Sequence, residues 1–243
     1  MTAESSPPHR PLRKISEPRS WNLRFLKISW VLVLSFGLLP ACLISQKVPQ
    51  AAVHEVAQLV DSHYNHLHSL RANFNESYEG LGMSRSESGT LLLLKPGRMR
   101  WDYSSPAGKL FLLDGRFAWF YSQGASQVQR IPAKELDDLR SPLRFLLGHT
   151  EIEKELDNLQ LAADPDGHFK LTGHPKGQDN RVRRITIAAT ADGAITAIEV
   201  EEADGALTRF AFTGEQPNAP IPENAFRFTP PAGVKVVDAL PPV

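Results

Sequence analysis

The alternation from Met99 to Tyr103 limits the fold more than any other feature of this chain. Met99, Trp101 and Tyr103 fall on one side of an extended strand, and Arg98, Arg100 and Asp102 fall on the other. The run Leu91-Leu92-Leu93-Leu94 precedes it, and Phe117, Trp119 and Tyr121 repeat the alternation after the turn signal Asp114-Gly115. Adjoining aromatic strands of this kind demand a sheet with one strongly apolar face. Patterning alone leaves two uses of that face open, a filled core or the lining of an apolar pocket.

At 243 residues the chain has the size of one domain with its own core, and its 27 basic and 27 acidic residues argue against nucleic acid as a partner. The balance is uneven: residues 1–46 carry six Lys/Arg and two Asp/Glu, which leaves the remainder at net −4. Arg10, Arg13, Lys14, Arg19, Arg24 and Lys27 precede an apolar run from Ile28 to Leu39, short for a membrane span but suited to a signal h-region. Residues 1–46 are therefore expected to be a signal peptide or N-terminal membrane-targeting segment, with the mature protein in the periplasm. Leu39-Pro40-Ala41-Cys42 resembles a lipobox, which makes Cys42 a candidate for lipidation, although Pro40 departs from that pattern. Ordinary cleavage near Ala41 or within Gln50-Ala51-Ala52, or an uncleaved anchor, are the alternatives. Cys42 is the only cysteine, so no intramolecular disulfide can form.

Past a short linker, Val53, Val56, Val60, Tyr64 and Leu67 recur at helical spacing and predict one amphipathic helix. His63 and His66 lie close enough on it to share a metal, yet no second ligand pair has matching spacing, so no metal and no cofactor is expected. Strands follow, punctuated by turn signals at Gly80 to Gly82, Pro96-Gly97, Asp114-Gly115 and Gly124. Residues 132–139 and 141–148 read as two short helices, the second capped by Ser141, with Pro142 in its first turn and Gly148 at its end. Strands resume at 159–163, 169–172, 183–189, 194–201 and 207–212, and a last one is expected around Phe226 to Phe228. No internal repeat or second domain appears; one domain over 50–240 is expected.

Five pieces in order carry a resemblance: Gly89 to Tyr103, Asp114 to Tyr121, Ser141 to Gly148, Asp192-Gly193, and Phe226 to Val236. Together, over residues from about 52 to 238, they resemble the periplasmic outer-membrane lipoprotein carriers of the LolA family. The resemblance implies a mainly β (α+β) fold, an incomplete and strongly bent antiparallel β-barrel with an N-terminal helix and short central helices as a lid over an apolar cavity. It also implies a carrier that takes up the acyl chains of lipoproteins and moves them from the inner to the outer membrane. The partners so implied are lipoproteins, an inner-membrane ABC lipoprotein-releasing complex and an outer-membrane acceptor, with the carrier a monomer. Two alternatives share the fold, a membrane-anchored LolB-like acceptor and a lipid-sensing regulator. The acceptor would carry a protruding apolar loop, for which Gly80-Leu81-Gly82-Met83 is a small candidate.

Residues expected to line the cavity are Met99, Trp101, Tyr103, Leu112, Trp119 and Tyr121 on the sheet, and Leu143, Phe145, Leu146 and Leu147 on the lid. Aromatic and Met side chains suit acyl chains because they offer large, weakly directional contact area. Lys95 stands where the family's better-known members carry an arginine that bonds lid carbonyls; it keeps the charge without the planar fork, and is expected to gate the lid more loosely. No G-x-S-x-G elbow, P-loop or H-E-x-x-H occurs, so no enzymatic activity is expected. The basic residues Lys176, Arg181, Arg183 and Arg184 read as a solvated sheet face or a surface for anionic partners.

Overall fold

The computed structural model describes residues 50–135, 143–147, 151–163, 167–177 and 180–238. Helix α1 (Gln50–His66) is followed by six strands, β1 (Ser69–Gly80), β2 (Met83–Leu94), β3 (Arg98–Ser105), β4 (Ala107–Asp114), β5 (Phe117–Ser122) and β6 (Gln127–Pro132). A 3-10 turn (Ala133–Glu135), α2 (Leu143–Leu147) and α3 (Ile152–Glu155) lead to β7 (Leu156–Ala163), β8 (Phe169–Pro175), β9 (Val182–Ala189), β10 (Ile195–Glu202) and β11 (Leu207–Pro217). A second 3-10 turn (Glu223–Phe226) and β12 (Lys235–Asp238) end the described chain.

All twelve strands belong to one sheet in the order β12-β6-β5-β4-β3-β2-β1-β11-β10-β9-β8-β7. From β6 to β1 and from β11 to β7 neighbours are successive hairpins, and β1 pairs antiparallel with β11 to join the halves. Only β12 runs parallel to its neighbour, β6, among the described pairs. The end strands β12 and β7 do not meet, so the sheet curves without closing, and the expected incomplete antiparallel barrel is what the chain forms.

Period-2 burial fixes which face each residue takes. On the inner face Leu70, Ala72 and Phe74 of β1 stand beside Leu93, Leu91 and Gly89 of β2, and these beside Met99, Trp101 and Tyr103 of β3. On the other half, Leu171, Ile187, Ile198 and Phe210 continue the same face through β8 to β11. Helix α1 lies in this concavity, burying Val53, Val56, Ala57, Val60, Tyr64 and Leu67 in the same apolar cluster, as its spacing predicts.

The central helices predicted at 132–139 and 141–148 are described only in part. Of residues 132–139, Pro132 ends β6 where a helix is expected to begin, a 3-10 turn spans Ala133–Glu135, and 136–139 lie outside the described residues, as do Ser141, Pro142 and Gly148. The strand expected at Phe226 to Phe228 is a 3-10 turn ending at Phe226, and the last strand falls at Lys235–Asp238. Pro220, Pro222, Pro230 and Pro231 bracket that stretch and supply no ladder donors, so its aromatic side chains pack on the sheet rather than join it.

Candidate functional site

An aromatic group occupies the middle of the inner face. Phe74 packs against Trp101 (ring centroids 4.5 Å apart) and edge-on to Tyr103 (5.0 Å), while Trp101 meets Phe210 (5.7 Å) and Phe212 (6.2 Å). Tilted and edge-to-face contacts at these separations favour the ring quadrupoles. Gly89 makes room for it: a Cβ there would lie 2.0 Å from the carbonyl oxygen of Asp102 and 2.9 Å from the Phe74 ring. Toward α1 the face continues as Leu70, Leu91, Leu93, Met99, Phe111 and Leu113, all buried. Phe145 and Leu146 of α2 are buried in the same cluster and Leu147 packs against it.

Toward the β1–β2 hairpin the inner face becomes charged. Glu76 and Glu87 face each other across the ladder, both buried. Lys109 Nζ donates to Glu87 Oε2 and sits 4.2 Å from the centre of the Tyr103 ring; Tyr103 Oη donates to Glu76 Oε2 at 3.3 Å. Arg85 lies 3.5 Å from both carboxylates. Burial pushes the Glu76 carboxyl above its ordinary range and the Glu87 charge adds to this, against the pull of Lys109 and Arg85. Beyond this group the hairpin tip exposes Leu81 and Met83 to solvent (76% and 63%).

Polar contacts at its last turn and along its flanks hold α1 in place. Lys95 Nζ donates to the carbonyl of Tyr64 and, at 3.3 Å, to that of Asn65, both in the last turn of α1, where carbonyls lack helical partners. Tyr64 Oη donates to Glu215 Oε2 (3.0 Å) and accepts from Ile195 N–H (2.9 Å); His63 Nε2 meets the other oxygen of Glu215 at 2.7 Å. That hydrogen bond raises the His63 pKa despite partial burial. On the opposite flank, the Asp61 carboxylate accepts from Ile152 N–H at 3.0 and 3.2 Å. Burial pushes Asp61 up to about 6, against that bond and helped by the charges of Glu151 and Glu153.

The sequence pattern described as "Outer membrane lipoprotein carrier protein LolA" matches residues 65–229 of this chain. The chain belongs to the LolA family. An outer-membrane lipoprotein carrier protein from Cupriavidus necator is 32% identical over 77% of this chain and 90% of its own length. Those of Chromobacterium violaceum (30% identical, 70% of this chain, 81% of that one) and Proteus mirabilis (31%, 83% and 97%) are similar over most of their length.

Within this LolA-family chain, Met99, Trp101, Tyr103, Phe145, Leu146 and Leu147 come together on the inner face. Leu143 begins α2, and its side chain lies outside the described residues. Leu112, Trp119 and Tyr121 do not join them: they occupy the outer face, with Leu92, Leu94 and Leu110. The reason is register. The Asp114–Phe117 turn pairs Leu113 with Ala118 and Leu112 with Trp119, so the odd-numbered residues of β4 stand beside the even-numbered residues of β5. Ala118 and Phe120 therefore face inward and Trp119 outward, where Phe226, Phe228, Ile221 and Ala225 cover it.

Lys95, expected to gate the lid, donates among the described residues to two α1 carbonyls. Arg183 and Arg184 both pair with Glu201, at 3.0 and 2.5 Å, and Lys176 with Asp157 at 3.4 Å. Cys42 and the whole of 1–46 lie outside the described residues. His63 is engaged by Glu215 and His66 by the carbonyl of Ser62. Sequence reading missed Glu76, Glu87, Phe210 and Phe212; the alternation Leu70, Ala72, Phe74, Glu76 carried the signal, because it places a carboxylate on the apolar side of β1.

Proposed function

We propose that this protein is a periplasmic carrier that holds the acyl chains of lipoproteins against the concave inner face of its sheet, with α1 and α2 displaced to admit them. A long acyl chain exposed to water costs about 0.8 kcal/mol per CH₂, so a lipoprotein crosses an aqueous space only if its chains are covered. The observation that carries this reading is the continuous apolar surface from Leu70 and Met99 to Phe210 and Phe212, covered at one end by α1 and α2 and bordered by charge at the other. An inner-membrane ABC complex would load the carrier and an outer-membrane acceptor would unload it, with no chemical step on the way.

Uptake of a fluorescent acyl probe by the full chain tests the proposal. Wild type takes it up, while Phe145→Glu on α2 and Trp101→Asp on β3 reduce uptake; equal binding by all three would remove the reading.

A second reading, an anchored acceptor, is favoured by Leu81 and Met83, which stand exposed at a hairpin tip. Mass spectrometry of the mature protein separates the two. An acylated N-terminal Cys42 favours the acceptor, and a plain N-terminus between Cys42 and Val53 favours the shuttle.

A further inference from the structure

Trp101 combines two properties that rarely coexist. It is 2% exposed, and among the described residues its indole Nε1–H is the one fully buried side-chain donor or acceptor without a hydrogen-bond partner. A buried donor with no acceptor forfeits its bonds to water and gains nothing in return. Trp119, on the other side of the same sheet, shows the usual solution: its Nε1–H donates to Asp114 Oδ2 at 2.8 Å. Trp101 meets the rings of Phe74, Phe210 and Phe212 and stands between Leu91 and Phe111 on the neighbouring strands, all apolar side chains.

An acyl chain ends in a group of opposite character, a carbonyl oxygen that accepts hydrogen bonds and carries no donor. We propose that the Trp101 indole N–H is a subsite for the acyl carbonyl, ester or amide, by which the inner face fixes how deep the cargo's chains lie. This rests on the carrier reading and specifies which part of the cargo the apolar face recognises.

The layout of the face agrees in direction. Beyond Trp101 come Tyr103 and then the row of Glu76 and Glu87, two rows along the ladder and, at about 3.4 Å per residue, roughly 13 Å away. A chain lying toward α1 with its carbonyl at Trp101 points its polar end toward Glu76, Glu87, Lys109 and Arg85, which supply both donors and acceptors. Those groups are already paired among themselves, so they border the subsite without competing for the indole.

The test compares three fluorescent probes with the same alkyl chain, joined through an ester, an amide or an all-carbon linker without an acceptor, each titrated into the full chain. A single neutral hydrogen bond gives wild type a preference of about five-fold for a carbonyl-bearing probe over the all-carbon one. In Trp101→Phe that ratio falls to about one, whatever the absolute affinities, while Phe212→Leu, which trims the same aromatic group, keeps it. The indole resonance of Trp101, assigned through its loss in Trp101→Phe, shifts with the carbonyl probes and not with the all-carbon one, and that of Trp119 serves as internal control. A preference for the ester alone assigns a glyceryl ester, for the amide alone the N-acyl group. If wild type binds all three probes equally and the Trp101 resonance does not move, the subsite is overturned and the carrier reading stands. If wild type binds none, the carrier reading falls first.

Discussion

Trp101 and Trp119 lie on opposite faces of one sheet, the first among Phe74, Phe210 and Phe212 inside the curve and the second beneath Phe228 outside it, ring centroids 5.7 Å apart. The two faces do different work. Inside, aromatic side chains meet helices held by a few polar contacts; outside, they are sealed by a segment of the same chain. Arg100 Nη1 bonds the carbonyl of Ala225 at 2.9 Å and Arg98 lies 3.5 Å from Glu223, which fasten that segment over Leu112, Trp119 and Tyr121.

Trp119→Ala is therefore expected to act on stability and not on cargo. It removes ring contacts with Phe228 and a half-buried bond to Asp114, whose carboxyl is held below the ordinary range: burial would raise it, but the N–H groups of Phe117, Trp119 and Arg116 outweigh that effect. A loss of about 2–3 kcal/mol in urea unfolding is expected for a partly covered tryptophan, with acyl-probe binding unchanged. Loss of binding at full stability would place Trp119 in the site.

The contrast also shows what the sequence could and could not convey. Alternation identifies the strands that hold Met99 to Tyr103 and Phe117 to Tyr121, and helical spacing the buried positions of α1, because each depends on residues two to four apart. It could not say whether the stripe Phe117, Trp119, Tyr121 joins Met99, Trp101, Tyr103 or opposes it, since that depends on one residue of register in the Asp114–Phe117 turn. Two of the motifs that suggested the family, Trp119 with Tyr121 and Phe226 with Phe228, turn out to be packing partners, so their joint presence reports the fold more than the cargo. The acceptors of Lys95 were equally hidden, because Tyr64 and Asn65 approach it only through the tertiary fold.

Gly89→Ala should be severely destabilising. Its Cβ would penetrate the Asp102 carbonyl at 2.0 Å, a backbone atom in the neighbouring strand that cannot turn aside. Overpacking of this kind costs about 1–3 kcal/mol, and here Phe74 must move as well, which would be read as a lowered denaturation midpoint and altered near-UV circular dichroism from the aromatic group. An unchanged midpoint would mean that the β2–β3 ladder opens without penalty.

Lys95→Met keeps the length of the side chain and removes the ammonium from the C-terminal carbonyls of α1. The expected cost is about 1–2 kcal/mol, from one charge-assisted bond and its interaction with the helix end. Hydrogen exchange should accelerate in the last turn of α1, around Asn65 and His66, more than in α2. Faster exchange confined to α2 would assign Lys95 to the lid rather than to α1.

Asp61 provides a pH test with a definite sign. Its carboxyl is raised from 3.8 to about 6, so the folded state prefers it protonated: the associated stabilisation is complete below 3.8 and is lost as pH rises through about 6. Asp61→Asn retains an oxygen to accept from Ile152 N–H and carries no charge beside Glu151 and Glu153. At pH 7.5 the variant should be more stable than wild type by about 1–2 kcal/mol, allowing for solvent at a half-buried site, and the difference should close as pH falls toward 4. The competing effect is the stronger bond that an ionised carboxylate makes to an N–H at the start of α3. If that bond outweighed desolvation, the variant would be the less stable protein at pH 7.5, and unfolding curves at the two pH values decide between them.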